Sequence, residues 1–418
     1  MPAAGRDRGL LNAWGVLMRR FLSTAVILCT LLAAAPLMAQ DFGKGWIDRI
    51  THELIEDDAQ LSPHKAQWNF SAGELYSYDS NIFLTDTGRT NDSIFTTFAN
   101  ATLSYAEPTF DAAADLLINY NAYASTKDID ADEERFFGRL RYQGTNVTLS
   151  LAEVFRRESS PTDATFTTRV SRFLSNTTPF IAVKVSPVFA VEFQSDLMLV
   201  NFLRNTYDVN DNFNSRTLLT LAFTTGWNAV ELLAQGGYWA VTYQDKLGAP
   251  DANGFIGRVG ARGEITPNLN LIALVGITSA DSDVYPAAGQ DSGLNTADVE
   301  IHLAFTPTEL TTWYADYSHR FGFSTDGSSF QRNDSAGVSG VFGIRDDLKF
   351  NARAQYDRIS SDLGLRRAYY SLGVGADWKV HPHILVSGGL TYRWGVTPGV
   401  TAGSFGDAIF SLGAAVLF

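Results

Sequence analysis

The chain ends on an alternation. Gly406 to Phe418 reads GDAIFSLGAAVLF, and Ala408, Phe410, Leu412, Ala414, Val416 and Phe418 share one side if the segment is extended. Successive side chains of a strand point to opposite faces. The pattern recurs upstream. From His383, the residues Ile384, Val386, Gly388, Leu390, Tyr392 and Trp394 oppose His383, Ser387, Gly389, Thr391 and Arg393. From Asp347, the residues Leu348, Phe350, Ala352, Ala354 and Tyr356 oppose Lys349, Asn351, Arg353, Gln355 and Asp357. From Ala297, the residues Val299, Ile301, Leu303 and Phe305 oppose Asp298, Glu300 and His302.

Extended along the chain, this reading predicts eighteen strands. They lie at about 66–77, 92–106, 109–124, 134–144, 146–157, 168–186, 188–203, 213–226, 229–243, 254–266, 268–279, 294–306, 309–322, 334–345, 347–359, 366–380, 383–395 and 406–418. Their connections alternate in length. Short ones carry turn residues, as at Glu107-Pro108, Gly144-Thr145, Ser186-Pro187, Thr266-Pro267-Asn268 and Arg345-Asp346-Asp347. Long ones include 78–91, 204–212, 280–293 and 396–405. An even number of long strands, short turns on one side, longer loops on the other and aromatics at strand ends predict an all-β fold. It is an antiparallel up-and-down transmembrane β-barrel of about 18 strands over residues 66–418. Trp227, Trp313, Trp378, Trp394, Tyr142 and Tyr238 are the expected interfacial girdle.

The N-terminal segment sharpens the picture. Arg19 and Arg20 precede an apolar run from Phe21 to Ala35, and Leu37-Met38-Ala39 puts a small residue before Gln40. That is the form of a secretory leader over residues 1–39, with Met18 as a candidate true start. The run is shorter than the roughly 20 residues of a membrane helix, and no other stretch is longer. For a chain of this kind a closed barrel is the remaining way to span a bilayer. Cys29 is the only cysteine and lies in the leader, which removes disulfides and thiolate chemistry from the mature chain. The net charge is −13, and cleavage would take away more arginine than aspartate; a basic nucleic-acid footprint is missing. Residues 40–65 form a periplasmic extension in this reading. Trp46, Ile47, Ile50, Leu54 and Ile55 there approximate one face of a short helix, fitting a frayed extension, a plug or a docking element.

Two stretches carry family resemblances. The terminal strand resembles the C-terminal strand of bacterial outer-membrane barrels, which implies that Phe418 serves as a signal to the barrel assembly machinery. Tyr78-Asp79-Ser80-Asn81-Ile82-Phe83, followed by Asn91-Asp92-Ser93-Ile94, resembles the opening of the outer-membrane porin family known as beta-barrel porin type 2. Members carry this segment after strand one, and many are encoded beside exopolysaccharide or capsule genes. The resemblance implies a channel in the bacterial outer membrane and a link to polysaccharide export components, while short periplasmic turns and longer outer loops put both termini in the periplasm. It implies no catalytic residues. The residues alone read as a turn, in which Asp79 and Asn81 bind nearby backbone.

The inward rows hold the remaining chemistry. Arg345, Lys349, Arg353, Lys379 and Arg393 are expected to form a basic lumenal patch, with Arg258 and Arg262 on an earlier strand. Asp111, Asp115, Glu192, Asp196, Glu231, Asp298 and Glu300 are expected on other sectors. This arrangement would either orient polar solutes or stabilise the wall through salt bridges. The outer loops are acidic, at Asp79, Asp86, Asp128, Asp130, Asp132, Asp211 and Asp281 among others. They suit solvation, or bridging through a divalent cation to lipopolysaccharide, but lack the spacing of a calcium hand. No nucleophile elbow, metal-ligand spacing or phosphate loop is present, so no enzyme, cofactor or metal site is expected. Of the histidines, only His319 is placed near an outer strand end, with Ser318 and Asp316 on the opposite face. The functions left open are a passive channel for polar solutes, an export pore for polysaccharide and a structural barrel with a filled lumen.

Overall fold

A computed structural model describes residues 66–418 apart from 85–87, 130, 159–170, 204–210, 227–229, 245–250, 283–292, 324–329, 362–365 and 397–403. The leader and the 40–65 extension lie outside the described residues. Eighteen strands run in order: β1 Gln67–Asp79, β2 Asp92–Glu107, β3 Phe110–Tyr123, β4 Ala131–Gln143, β5 Val147–Glu158, β6 Arg172–Ser186, β7 Phe189–Phe202, β8 Asn212–Thr224 and β9 Glu231–Tyr243. Then come β10 Ala252–Thr266, β11 Leu269–Ser282, β12 Gly293–Thr308, β13 Thr311–Phe323, β14 Phe330–Arg345, β15 Leu348–Ser361, β16 Arg366–His381, β17 Ile384–Val396 and β18 Phe405–Leu417. Each pairs antiparallel with the next, and β1 pairs with β18, so the sheet closes. The strand count and the alternation of short and long connections are as the sequence predicts. The described N-terminal end and Phe418 both lie on the short-turn rim.

Closure settles the backbone. Each strand has a hydrogen-bonded neighbour on both sides, so the closed sheet has no edge strand. Face assignment then follows from the period. On β18, Phe410, Leu412 and Val416 point outward and are exposed, while Asp407, Ile409, Ser411 and Ala415 point inward and are buried. The outward wall is an apolar band (Leu219, Leu221, Val259, Val275, Val338, Leu372, Val374, Leu390). Aromatics edge it. Trp68, Phe70 and Phe418 stand at the short-turn rim, and Tyr356, Tyr370 and Trp394 lie in adjoining register toward the loops, with Tyr370 and Trp394 stacked at 4.9 Å. A surface of this kind is stable only against lipid or detergent, since exposed apolar area costs about 25 cal/mol per Å² in water.

The short turns impose one correction. The strands entering several of them slip register by a residue, between Lys184 and Ser186, Glu264 and Thr266, Phe305 and Thr308, Gly343 and Arg345, and Lys379 and His381. Such a bulge moves the next side chain to the other face. Arg345 therefore leaves the inward row. It stands opposite Leu348 at the rim, well exposed, with its Nε 3.0 Å from Asp347 Oδ1.

Leu390 sits mid-strand on the outward face of β17. Leu390→Arg is expected to destabilise the folded barrel in lipid vesicles by about 2–4 kcal/mol, read from urea unfolding. An unchanged midpoint would mean that this face does not meet lipid.

Candidate functional site

The Tyr78–Phe83 segment is a latch on the closing seam. Tyr78 and Asp79 are the last residues of β1 instead of following it, because their ladder to β18 and β2 continues to Asp79. Asp79 and Asn81 are buried. Asp79 Oδ1 accepts the Asn81 amide at 2.8 Å, the turn that the sequence suggests. The segment then binds the far end of the chain. Ser80 N donates to Ala408 O at 3.1 Å, Ala408 N to Ser80 Oγ at 2.7 Å, and Ser80 Oγ to Asp407 Oδ1 at 3.0 Å. Arg393 of β17 completes it, with Nε 2.8 Å from Asp407 Oδ2 and Nη2 3.4 Å from Asp79 Oδ2. Arg393 thus serves the seam at the loop rim and does not join the basic patch. Phe83 is partly exposed beyond the latch.

The other mouth acids also cap backbone. Asp92 accepts the amides of Ser125 and Thr126 at 3.0 and 2.8 Å, Asp211 that of Phe202 at 2.6 Å, and Asp251 that of Tyr243 at 3.0 Å. Each ties one strand end to the neighbouring hairpin. No cluster of potential metal ligands occurs among the described residues.

Inside, acids and bases interleave instead of occupying separate sectors. Asp111 on β3 contacts two arginines of β4, Arg139 Nε at 3.1 Å and Arg141 Nε at 2.5 Å. Asp115 accepts from Asn100 Nδ2 at 3.1 Å and lies 3.7 Å from Arg135 Nη2. Arg262 of β10 binds Glu231 of β9 at 2.7 Å and reaches Glu192 of β7 at 2.8 Å. Lumenal strips of opposite charge on neighbouring strands thus compensate each other through direct bonds.

A denser network spans β10 to β13. Arg258 Nη1 donates to Asp298 Oδ1 at 3.1 Å and Glu300 Oε2 at 2.7 Å, and Arg320 Nη2 reaches the same Glu300 oxygen at 2.8 Å. Thr278 Oγ1 binds Asp298 Oδ2 at 3.0 Å. His302 bridges Glu300 and Asp316 at 3.0 and 2.6 Å. The side chains of Arg258 and Asp298 are only 2% and 5% exposed, far below what a bare wall facing a wide lumen would give.

Loopward of this network, β13 leaves the wall. The β12–β13 ladder stops at the pair Val299–His319, although β12 runs on to Gly293 against β11 and β13 runs on to Phe323 against β14. By period, Phe321 belongs to the outward row of Trp313 and Tyr317. Its ring nevertheless packs on Trp239, an inward residue of β9, at 5.8 Å, and against Ala252 and Ala280. Beyond His319, β13 therefore parts from β12, and Phe321 turns to the inner wall of β9–β11. Trp239 prepares the seat by lying over Gly254 and donating Nε1 to Ser279 O at 3.1 Å. A Cβ at Gly254 would stand 1.9 Å from Ser279 O, so only glycine permits this stacking. His319, on the same stretch, bonds Asp334 of β14 at 2.5 Å, a partner that the sequence reading did not identify.

The rest of the basic patch keeps its place on the inward rows. Lys349 and Arg353 lie on β15 and Lys379 on β16, all in the half near the short turns, with Asp377 facing Lys349 across the ladder. Asn351 Nδ2 also binds Asp377 at 3.2 Å, and Arg353 bonds Gln355. Sequence reasoning did not single out Arg135, Arg139, Arg141, Arg156, Arg172, Arg216 or Arg320. The signal was available for β4, where arginines recur at 135, 139 and 141 on one parity.

No family model and no curated protein matches the chain. Solved structures with a similar trace include a BenF-like porin from Pseudomonas fluorescens Pf-5, 9% identical, covering 85% of this chain and 100% of that one at a TM-score of 0.46. Pseudomonas aeruginosa OpdK with vanillate is 11% identical over 84% and 99% at 0.44. The siderophore receptor PirA from Pseudomonas aeruginosa is 12% identical over 85% and 81% at 0.42. Likeness at this level carries no activity across, and the architecture rests on the chain's own strand register.

Two outcomes test the inner wall. Arg258→Gln leaves the buried carboxylate of Asp298 without its cation, while Glu300 keeps Arg320 and His302, and is expected to cost about 3–5 kcal/mol in urea unfolding. In a Cys29→Ser background, a cysteine at position 278 is expected to react slowly with a water-soluble maleimide. Adding Trp239→Ala and Phe321→Ala should speed that labelling severalfold by freeing the hairpin end; an unchanged rate would mean that the hairpin does not cover the network.

Proposed function

We propose that this chain is a β-barrel channel of a bacterial outer membrane, passing polar solutes through a charge-lined lumen. The observation that carries the reading is the combination of a closed eighteen-strand wall, an apolar outward band and inward rows of paired arginines and carboxylates. Barrels of this strand number leave a wet interior unless something fills it. In this reading the short turns face the periplasm and the long connections face outward, with both termini periplasmic. Residues 1–39 are the export leader. The outward ring of Phe418, packed on Phe70 at 5.7 Å, is the feature offered to the assembly machinery. Lipopolysaccharide surrounds the loop rim.

The inward-curling β13–β14 end makes the passage narrower on one side than the strand number alone implies. Solutes then pass between the covered network of β10–β13 and the charged rows of β3–β6 and β15–β16. Charges held in such a lumen act on an ion over about a Debye length, 10 Å at 0.1 M salt. The resemblance of Tyr78–Phe83 to porins encoded beside exopolysaccharide genes favours a second reading, an exit for polysaccharide working with periplasmic export components. The mixed charge of the wall suits either cargo.

Conductance of the purified barrel in a planar bilayer tests the channel, and its absence would favour a filled lumen. Replacing Lys349, Arg353 and Lys379 together with Gln is expected to shift the reversal potential toward cation selectivity, more strongly at low salt than at high salt. An unmoved reversal potential would leave these three residues with a structural role alone.

A further inference from the structure

The outward face of β14–β16 changes character row by row toward the long connections, and strand register sets the rows. Val338, Ala354 and Leu372 form one line across the three strands. Ala336, Tyr356 and Tyr370 form the next, carried on to Trp394 of β17. The rings touch, Tyr356 on Tyr370 at 5.1 Å and Tyr392 on Trp394 at 5.5 Å. The third line holds Arg358, and the fourth holds Arg332 and Arg366 on either side of Ser360. All three arginines are exposed, on the same parity as the exposed Val338, Phe350 and Leu372 of their own strands.

Acids are scarce on this face. Among the described residues of these outward rows, Asp334 is the one carboxylate loopward of the rings, and His319 of β13 already holds it. Asp357 lies on the inward face, bonded to Ser335 and Gln355. At the loop end of β4–β5, by contrast, the outward Arg157 stands opposite its own acid, Glu134, at 3.6 Å. Neighbouring strands lie about 4.8 Å apart and two residues advance a strand about 6.8 Å, so the Cα atoms of the three arginines fall within about 10 Å. Their long stems can lie along the apolar wall while the guanidinium heads converge on one multiply charged group.

We infer that Arg332, Arg358 and Arg366 bind the phosphorylated sugar headgroup of an anionic saccharolipid, whose acyl chains lie along the apolar rows toward the short turns. The order of the rows is the order of such a lipid: hydrocarbon, then an interface where aromatic rings settle, then phosphate. Guanidinium forks hold phosphate through parallel N–H donors, and these charge-assisted bonds are stronger than neutral ones. The three arginines point away from the lumen, so the site serves the surrounding leaflet and not a solute in transit. The inference rests on the orientation proposed above, with the long connections outward, and gives the lipid there one defined seat.

The purified full-length barrel in neutral detergent is titrated with diphosphorylated lipid A, and bound lipid is counted by native mass spectrometry. One molecule should bind saturably. R332Q, R358Q and R366Q combined should weaken that binding about tenfold or more. R358Q and R366Q singly should each weaken it severalfold, and they stand in for the triple variant should it fold poorly. R157Q should bind as the parent does. Lipid A stripped of its phosphates and phosphatidylglycerol should both bind far more weakly, and inorganic phosphate at the same concentration should not displace the lipid. Undiminished binding in the variants, an equal loss in R157Q, equal binding of either control lipid or displacement by phosphate would each overturn the site. A barrel that conducts without this lipid preference keeps the channel and loses the site, whereas one that binds the lipid and passes no current does the reverse. Protease added to intact cells should cut the long connections; no cut would overturn the orientation, whatever the binding in detergent.

Discussion

Everything in this molecule depends on the pairing of its first strand with its last. Until β1 meets β18, each presents a row of unpaired amides and carbonyls that lipid cannot satisfy, each costing several kcal/mol in a bilayer. The chain reinforces this seam beyond the ladder. Arg393, Asp407, Asp79, Ser80 and Asn81 form a buried polar latch at the loop rim, and Phe70 and Phe418 exchange backbone bonds and pack rings at the other. Between them runs an inward apolar cluster of Leu75, Phe98, Leu117 and Ala415. The seam joins β1 to β18, the two paired strands farthest apart in sequence among those described, so it bears the largest loop-closure entropy in the barrel. Extra bonds placed there act on the least probable contact.

Once the ring is closed, the inner wall has an electrostatic problem that lipid-facing residues do not. Inward rows carry many charges within a few ångströms of one another, in a lumen less screened than open water. The wall answers by interleaving signs across strands. Asp111 lies between two arginines, Arg262 spans to Glu231 and Glu192, and Arg258 and Arg320 converge on Glu300. A charge pair removed from water is costly unless it is well bonded, and in the β10–β13 network Arg258 is held by two carboxylates while Asp298 also accepts from Thr278. Among the described residues, β13 parts from β12 beyond the Val299–His319 pair. Trp239 and Phe321 hold it by ring packing, and Gly254 provides the space.

The sequence determined the strand count, the parity of nearly every strand and the two rims, because a period of two is a local property and one slip would turn a whole apolar row into water. It also determined that Asp79 and Asn81 make a turn, since an Asx bond needs only its neighbours. Tertiary structure decided which charges meet. The sequence reading set acids and bases on separate sectors, but register across strands far apart in sequence places Asp111 beside Arg139 and Arg141, and Asp298 beside Arg258. It moved Arg345 to the rim through a bulge and tied the inward Arg393 into the seam, neither of which is visible in a single strand's pattern. The inward curl of β13–β14 was equally hidden. Phe321 keeps the parity of a lipid-facing residue, and only a contact with Trp239, four strands away, reveals the face it serves. Local alternation fixes which way a side chain points from its own strand, whereas its partners depend on how the strands are staggered around the ring.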